Sequence, residues 1–230
     1  MIVFAMDTTS QNAAVALMNN EKLMGEYMIS NLKTHSQLIM PMMSDLIKNT
    51  GLTVDDVDVF SVCTGPGSFT GVRIGMTAIR TICQAAKKPI VGITSLKSLS
   101  LNVTADSDTV VCPIIDARHN EVYNALYCAN EQISDCRMID IDKLLGELEG
   151  KKVLFVGDGV NAYNLKINRP EWKIAPKHLC MQKASSVAYA AFERAQKNDF
   201  DNLYSLVPMY LRKSQAEREY ELKHSDTLNS

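Results

Sequence analysis

One pattern is written twice along this chain. Ile2 to Met6 is a short apolar run ending in the polar turn Asp7-Thr8-Thr9-Ser10. Ala13 to Leu17 resumes as a strand, Asn19-Asn20 turns, and Lys22 to Met28 continues. Val110 to Ile115 begins the same way, ends in Asp116, turns through Ala117 to Asn120 and resumes in Glu121 to Tyr127 before Ala129-Asn130-Glu131. From Asp7 to Glu21 is 14 positions, and from Asp116 to Glu131 is 15. The first copy goes on to a helix over Ser36–Asn49, a strand over Val57–Cys63, a helix over Val72–Ala86 and a strand over Ile90–Ile93. The second goes on to a helix over Ile141–Leu148 and a strand over Val153–Val156, ending in Gly157-Asp158-Gly159. The expected organisation is two β-β-β-α-β-α units, residues 1–104 and 105–213, joined near Asn102 to Asp108. An amphipathic helix, Ala184–Lys197, falls in the second, and a charged tail over 214–230 is expected to fray.

Hairpin-linked strands followed by alternating helix and strand define a mixed-sheet α/β fold. Its duplication resembles the plan of the actin, sugar-kinase and Hsp70 class, an RNase H-like fold of two mixed-sheet subdomains. That class holds nucleotide between its halves, on strand-end turns from each. Such a likeness assigns a fold, and function has to come from the residues.

The residues that bear on a cleft are Asp7-Thr8-Thr9 and the run Thr64-Gly65-Pro66-Gly67-Ser68-Phe69-Thr70-Gly71-Val72-Arg73-Ile74-Gly75. Strand, glycine turn and helix together aim backbone N–H groups at an anion. Candidate nucleotide contacts are therefore Asp7, Thr8, Thr9, Gly65, Gly67 and Ser68, with Asp7 placed to hold a magnesium-bound water. The alternative is a tight turn with no ligand. The second copy offers Asp116-Ala117-Arg118-His119-Asn120, without a glycine, and that opposes tight ATP binding by this chain alone. Asp7 and Asp116 would then simply bond their local turns.

Other chemistry finds little support. The histidines at 35, 119, 178 and 224 are isolated, with no metal-ligand spacing, so no metal is expected. No Gly-x-Ser-x-Gly surrounds a serine. The net charge of −2 gives no global attraction to nucleic acid. Six cysteines without a Cys-x-x-Cys pair suit a reducing compartment, and Cys63, Cys83, Cys112 and Cys128 lie in apolar runs as small hydrophobes. Met1 leads straight into Ile2–Met6 without a basic leader, and no apolar run approaches the roughly 20 residues of a membrane span. The expectation is a cytoplasmic protein with no membrane partner.

Two helices carry more apolar surface than one sheet face needs. The Ser36–Asn49 helix presents Leu38, Ile39, Met42, Met43, Leu46 and Ile47, with Met40 and Pro41 near its first turns. The Val72–Ala86 helix presents Val72, Met76, Ile79 and Cys83 on one face and Gly75, Ala78, Ile82 and Ala85 on another. Arg73, Thr77 and Arg80 leave a narrow polar edge. Either these faces fill the core, or they meet another chain. The candidate interface is His35, Leu38, Ile39, Met42, Met43 and Leu46 on the first helix, and Val72, Arg73, Met76, Ile79, Arg80 and Cys83 on the second.

Taken together, Asp7-Thr8-Thr9, His35-Ser36, the 65–75 glycine run, Ile115-Asp116-Ala117-Arg118, Glu121-Val122-Tyr123 and Pro208-Met209-Tyr210-Leu211-Arg212 resemble the TsaB family across about residues 1 to 213. That family is similar to TsaD, the metal- and nucleotide-binding subunit that transfers threonylcarbamoyl to the adenosine beside certain tRNA anticodons. TsaD holds its metal with a His-x-x-x-His pair after the strand that follows the glycine loop. The corresponding Ile93-Thr94-Ser95-Leu96-Lys97-Ser98 has no histidine. The resemblance implies a non-catalytic scaffold that pairs with TsaD through its first-half helices and is joined by the ATPase TsaE; alone it would be a homodimer or a monomer. It implies tRNA reached only through the complex, and ATP or ADP only at the joint with the partner. The competing readings are an ATP-dependent small-molecule kinase and, lower, a glycoprotease-like peptidase.

Overall fold

The computed structural model describes residues 1–30 and 34–212; the charged tail falls outside these residues. The chain runs β1 (Ile2–Asp7), β2 (Ala13–Asn19), β3 (Lys22–Ile29), α1 (His35–Asn49), β4 (Val59–Cys63), α2 (Phe69–Ala86), β5 (Ile90–Ile93) and α3 (Ser95–Ser100). It continues β6 (Val110–Arg118), β7 (Glu121–Asn124), β8 (Tyr127–Cys128), β9 (Glu131–Gln132), β10 (Arg137–Asp140) and α4 (Ile141–Glu147). Last come β11 (Val153–Val156), α5 (Gly159–Tyr163), β12 (Trp172–Ile174) and α6 (Ala184–Gln196).

The duplication is visible in the sheets. The first has the order β3-β2-β1-β4-β5 and the second β10-β7-β6-β11-β12. In each, the first two pairings are antiparallel and the last two parallel. Thus β6 repeats β1, β11 repeats β4, and α5 stands where α2 stands in the first copy. The second copy departs from expectation at β7, which stops at Asn124; Ala125-Leu126 breaks the run before the short β8.

Alternation in β1 explains why both faces of the first sheet are covered. Phe4 and Met6 face α1 and α2 with Phe60 and Val62 of β4, while Val3 and Ala5 face α6 with Val59 and Cys63. All eight side chains are essentially removed from water. Each of the larger ones contributes about 1.5–3 kcal/mol by that burial. The α6 residues in this second layer are Val187, Ala188, Ala190, Ala191, Phe192 and Ala195. The last helix therefore belongs to the first sheet, not to a 105–213 unit, because its small-residue face fits flat on the strands. The short α3 links the two halves: Leu96 and Leu99 enter the core of the second sheet with Val111, Ile115 and Tyr127. Cys63, Cys83, Cys112 and Cys180 are buried and free, whereas Cys128 is only half-buried. Burial pushes the Cys83 thiol up to about 12. Among the described residues no helix is long and apolar enough to cross a membrane.

Candidate functional site

The glycine run forms a seam between the start of α2 and the end of β1. Ser68 caps α2, its Oγ accepting the Gly71 N–H at 3.2 Å. The Ser68 N–H donates to the Thr9 carbonyl at 2.7 Å, and Thr8 Oγ1 donates to the Gly71 carbonyl at 2.7 Å. A Cβ on Gly67 would overlap the Thr9 carbonyl oxygen, one on Gly71 the Thr8 carbonyl oxygen, and one on Gly75 the Thr8 hydroxyl. The glycines are there because two backbones touch. Gly65 sits at φ +96° with its carbonyl accepting from Ser95 N–H.

Behind the seam lies a buried polar relay. Asp7 Oδ1 accepts from the Thr9 N–H at 2.8 Å and from Thr9 Oγ1 at 2.7 Å. Ser95 Oγ donates to Thr9 Oγ1 at 3.1 Å and lies 3.1 Å from Cys63 Sγ. Asp7, Thr8 and Thr9 are 1% exposed and Ser95 is fully buried. Burial is the main reason the Asp7 carboxyl is raised, against the lowering effect of its Thr9 bonds. Burial, followed by the nearby Asp7 charge, pushes the Cys63 thiol well up. Of the expected nucleotide contacts, Asp7, Thr8 and Gly65 are thus sealed inside, and Thr9, though buried, reaches the edge of the cleft. Gly67 is half-buried against Thr9, and only Ser68 is exposed.

A cleft of about 880 Å³ does lie between the halves. One wall is Thr9, Ser10, His35, Gly67, Ser68 and Thr70; the other is Asp116, Arg118, Tyr123, Asp158 and Arg212. His35 belongs to this cleft and not to a helix face, its Nε2 lying 2.8 Å from the Ser10 carbonyl oxygen. Asp116 bonds its own turn: Oδ1 accepts from Arg118 N–H at 2.8 Å and from Tyr163 Oη at 3.3 Å. Its N–H donates to Asp158 Oδ1 at 3.2 Å. A Cβ at Gly157 or Gly159 would crowd the Ile114 carbonyl, so the second copy's glycine turn also packs on its own central strand. Arg118, His119 and Asn120 all have positive φ, at 62°, 55° and 63°. That region costs an ordinary L-residue about 1–2 kcal/mol. Among the described residues no group of three His, Cys, Asp or Glu side chains is placed to hold a metal ion.

The helix residues need a correction. Ile39, Met42, Met43, Leu46, Val72, Met76, Ile79 and Cys83 are at most 4% exposed and form one core with β1, β2 and β4. Leu38 is half-buried against it. Arg73 and Arg80 are committed within the chain: Arg73 Nε donates to Tyr210 Oη at 2.7 Å, and Arg80 donates to the Leu206 and Tyr204 carbonyls. The wide apolar face is wide because α1 and α2 share one sheet and each other. Among the residues these helices leave outside are Met40, 45% exposed, with Pro41 and Ser44 on α1, and Thr77, Thr81 and Ala85 on α2. The half-buried Ile74, Ala78 and Ile82 lie between. The segment 201–212, whose Tyr210 and Arg212 reach the site, gives no periodic signal in the sequence that would reveal this placement.

Fold and cleft define a duplicated actin-like α/β protein whose strand-end glycine turns are closed on their own central strands. Residues 26–220 match the family described as "TsaD: tRNA N6-adenosine threonylcarbamoyltransferase". The tRNA threonylcarbamoyladenosine biosynthesis protein TsaB of Bacillus subtilis is 28% identical, over 96% of this chain and 98% of that one. The TsaB of Escherichia coli is 33% identical over 57% of each. YeaZ from Pseudomonas aeruginosa has the same fold, with a TM-score of 0.79 at 22% identity, covering 91% of this chain and 99% of that one. The chain belongs to the TsaD family, on its TsaB branch.

Proposed function

We propose that this chain is a non-catalytic partner subunit in the formation of threonylcarbamoyladenosine in tRNA. It docks on TsaD and orders it for transfer, TsaE joins the pair, and tRNA is reached through the assembly in the cytoplasm. Alone, the chain pairs with itself. The observation that carries this reading is the seam. The Thr9, Ser68 and Gly71 N–H groups, which a phosphate would need, are spent on Asp7, Thr9 and Ser68. A glycine run used for packing supports a scaffold better than a kinase or an ATPase, and ATP or ADP is left to the joint with the partner. The docking face is the outer side of α1 and α2, around Met40, Ala78 and Ile82, since the deeper residues are occupied by the chain's own core.

The test is a reconstituted transfer assay with TsaD, TsaE and this chain. Asp7→Asn, in the sealed relay, is expected to leave the rate within about twofold. Ala78→Arg, on the outer face, is expected to abolish stimulation while circular dichroism stays native. An inactive Asp7→Asn that still pairs with TsaD would move the chemistry into this chain.

A further inference from the structure

The segment after α6 forms a strap that begins on the first half of the molecule and ends on the second. Asp201 starts it: its N–H donates to the Ile90 carbonyl at 3.0 Å, and its Oδ2 accepts from the Gly92 N–H at 2.7 Å. Arg80 holds the Tyr204 and Leu206 carbonyls. Met209 N–H donates to the Thr64 carbonyl at 2.8 Å. Tyr210 then stacks on Phe69 with ring centroids 3.9 Å apart and planes 6° from parallel. All of these anchors lie on β5, α2 and the turn just after β4, so this length of strap is tied to the first half.

Arg212 crosses to the other side. Its guanidinium donates through Nη1 to the Ala117 carbonyl and through Nη2 to the Glu121 carboxylate. Those two residues flank the left-handed triplet Arg118-His119-Asn120 at the cleft's lip. One planar fork therefore grips both shoulders of the β6–β7 turn, a two-residue hairpin loop with positive φ at His119 and Asn120. From the far side the turn is held by the Asn120 side chain, which bonds Asp140 at 2.7 Å, Asp142 at 3.0 Å and Lys166 at 2.9 Å. The Arg212 side chain is 17% exposed and that of Glu121 31%, so solvent screens the pair only in part. Arg212 and Arg118 also line the cleft.

We propose that residues 201–212 are a latch across the cleft. Closed, Arg212 ties the first half to the β6–β7 turn at the cleft's edge. Released, it frees the lip to swing, while Tyr210 and the rest of the strap stay on α2. The latch couples the width of the cleft to the surface of α2, since Arg73 and Arg80 of that helix hold the same strap.

Hydrogen exchange measured by mass spectrometry on the full chain tests this. In Arg212→Ala, amides of residues 116–122 are expected to exchange about tenfold faster or more, with α1 and β4 unchanged. Glu121→Gln keeps the Ala117 bond and the fold, and is expected to give a smaller acceleration in the same segment. Unchanged exchange at 116–122 in both variants would overturn the latch, because the turn would then be holding itself. An equal acceleration in every segment would overturn it too, reducing Arg212 to a contributor to global stability. Should Arg212→Ala fail to fold, Glu121→Gln decides: acceleration confined to 116–122 supports the latch, and none removes it.

Discussion

Gly71 and Asp7 lie on the same seam and make its physics measurable in two ways. A Cβ at Gly71 would overlap the Thr8 carbonyl oxygen, and α2 cannot retreat without losing the Thr8 Oγ1 bond to the Gly71 carbonyl. Gly71→Ala is therefore expected to cost about 1–3 kcal/mol, read as a lower urea midpoint at unchanged slope. A glycine kept for a ligand would lose affinity and little stability. Asp7 reports through pH. Its folded-state carboxyl is raised, mainly by burial, so the folded chain holds that proton more tightly than the unfolded chain. Its contribution to stability is full below the ordinary carboxylate value and is lost as pH rises through the raised one. Asp142, lowered chiefly by its Lys166 bond, acts in the opposite sense, losing its contribution as pH falls. Asp7→Asn removes the first effect alone. The stability of the variant relative to wild type should grow with rising pH above about 4. A difference that stays flat would mean Asp7 is not buried as described.

At the scale of the element, α2 shows how far periodicity carries. Its spacing of Val72, Met76, Ile79 and Cys83 marks a buried face, and that face is buried. What covers it is not written in the spacing, because a sheet of the same chain and a second chain satisfy an apolar stripe equally. Ile79→Ala is thus expected to destabilise the isolated chain by about 2–5 kcal/mol, measured by thermal or urea unfolding. Loss of pairing with no loss of stability would return Ile79 to an interface. The short elements were hidden for a related reason. Three residues of β12 and five of α5 are too few to establish a period, and each forms only because a neighbouring strand or core receives it. The apolar runs of β1, β2, β4, β6 and β11 stand out unaided.

For the molecule as a whole, the repeated turn pattern around Asp7 and Asp116 was enough to announce two copies, and the sheets confirm it with the same strand order and the same pairing directions. The position of α6 was not legible, since an Ala-rich face fits either sheet; it returns to the first and leaves the strap to span the cleft. The sealing of the glycine turns was hidden for a similar reason. A glycine-rich sequence states that a backbone must come close, without stating whether to a phosphate or to another strand. We propose that this chain acts by docking, through a face that is intact only while its own core is packed. Light scattering after size exclusion, on the chain alone and mixed with TsaD of the same organism, tests that most directly. The expected result is a homodimer replaced by a one-to-one complex in the mixture. Two species that elute independently at micromolar concentration, each at its own mass, would contradict it.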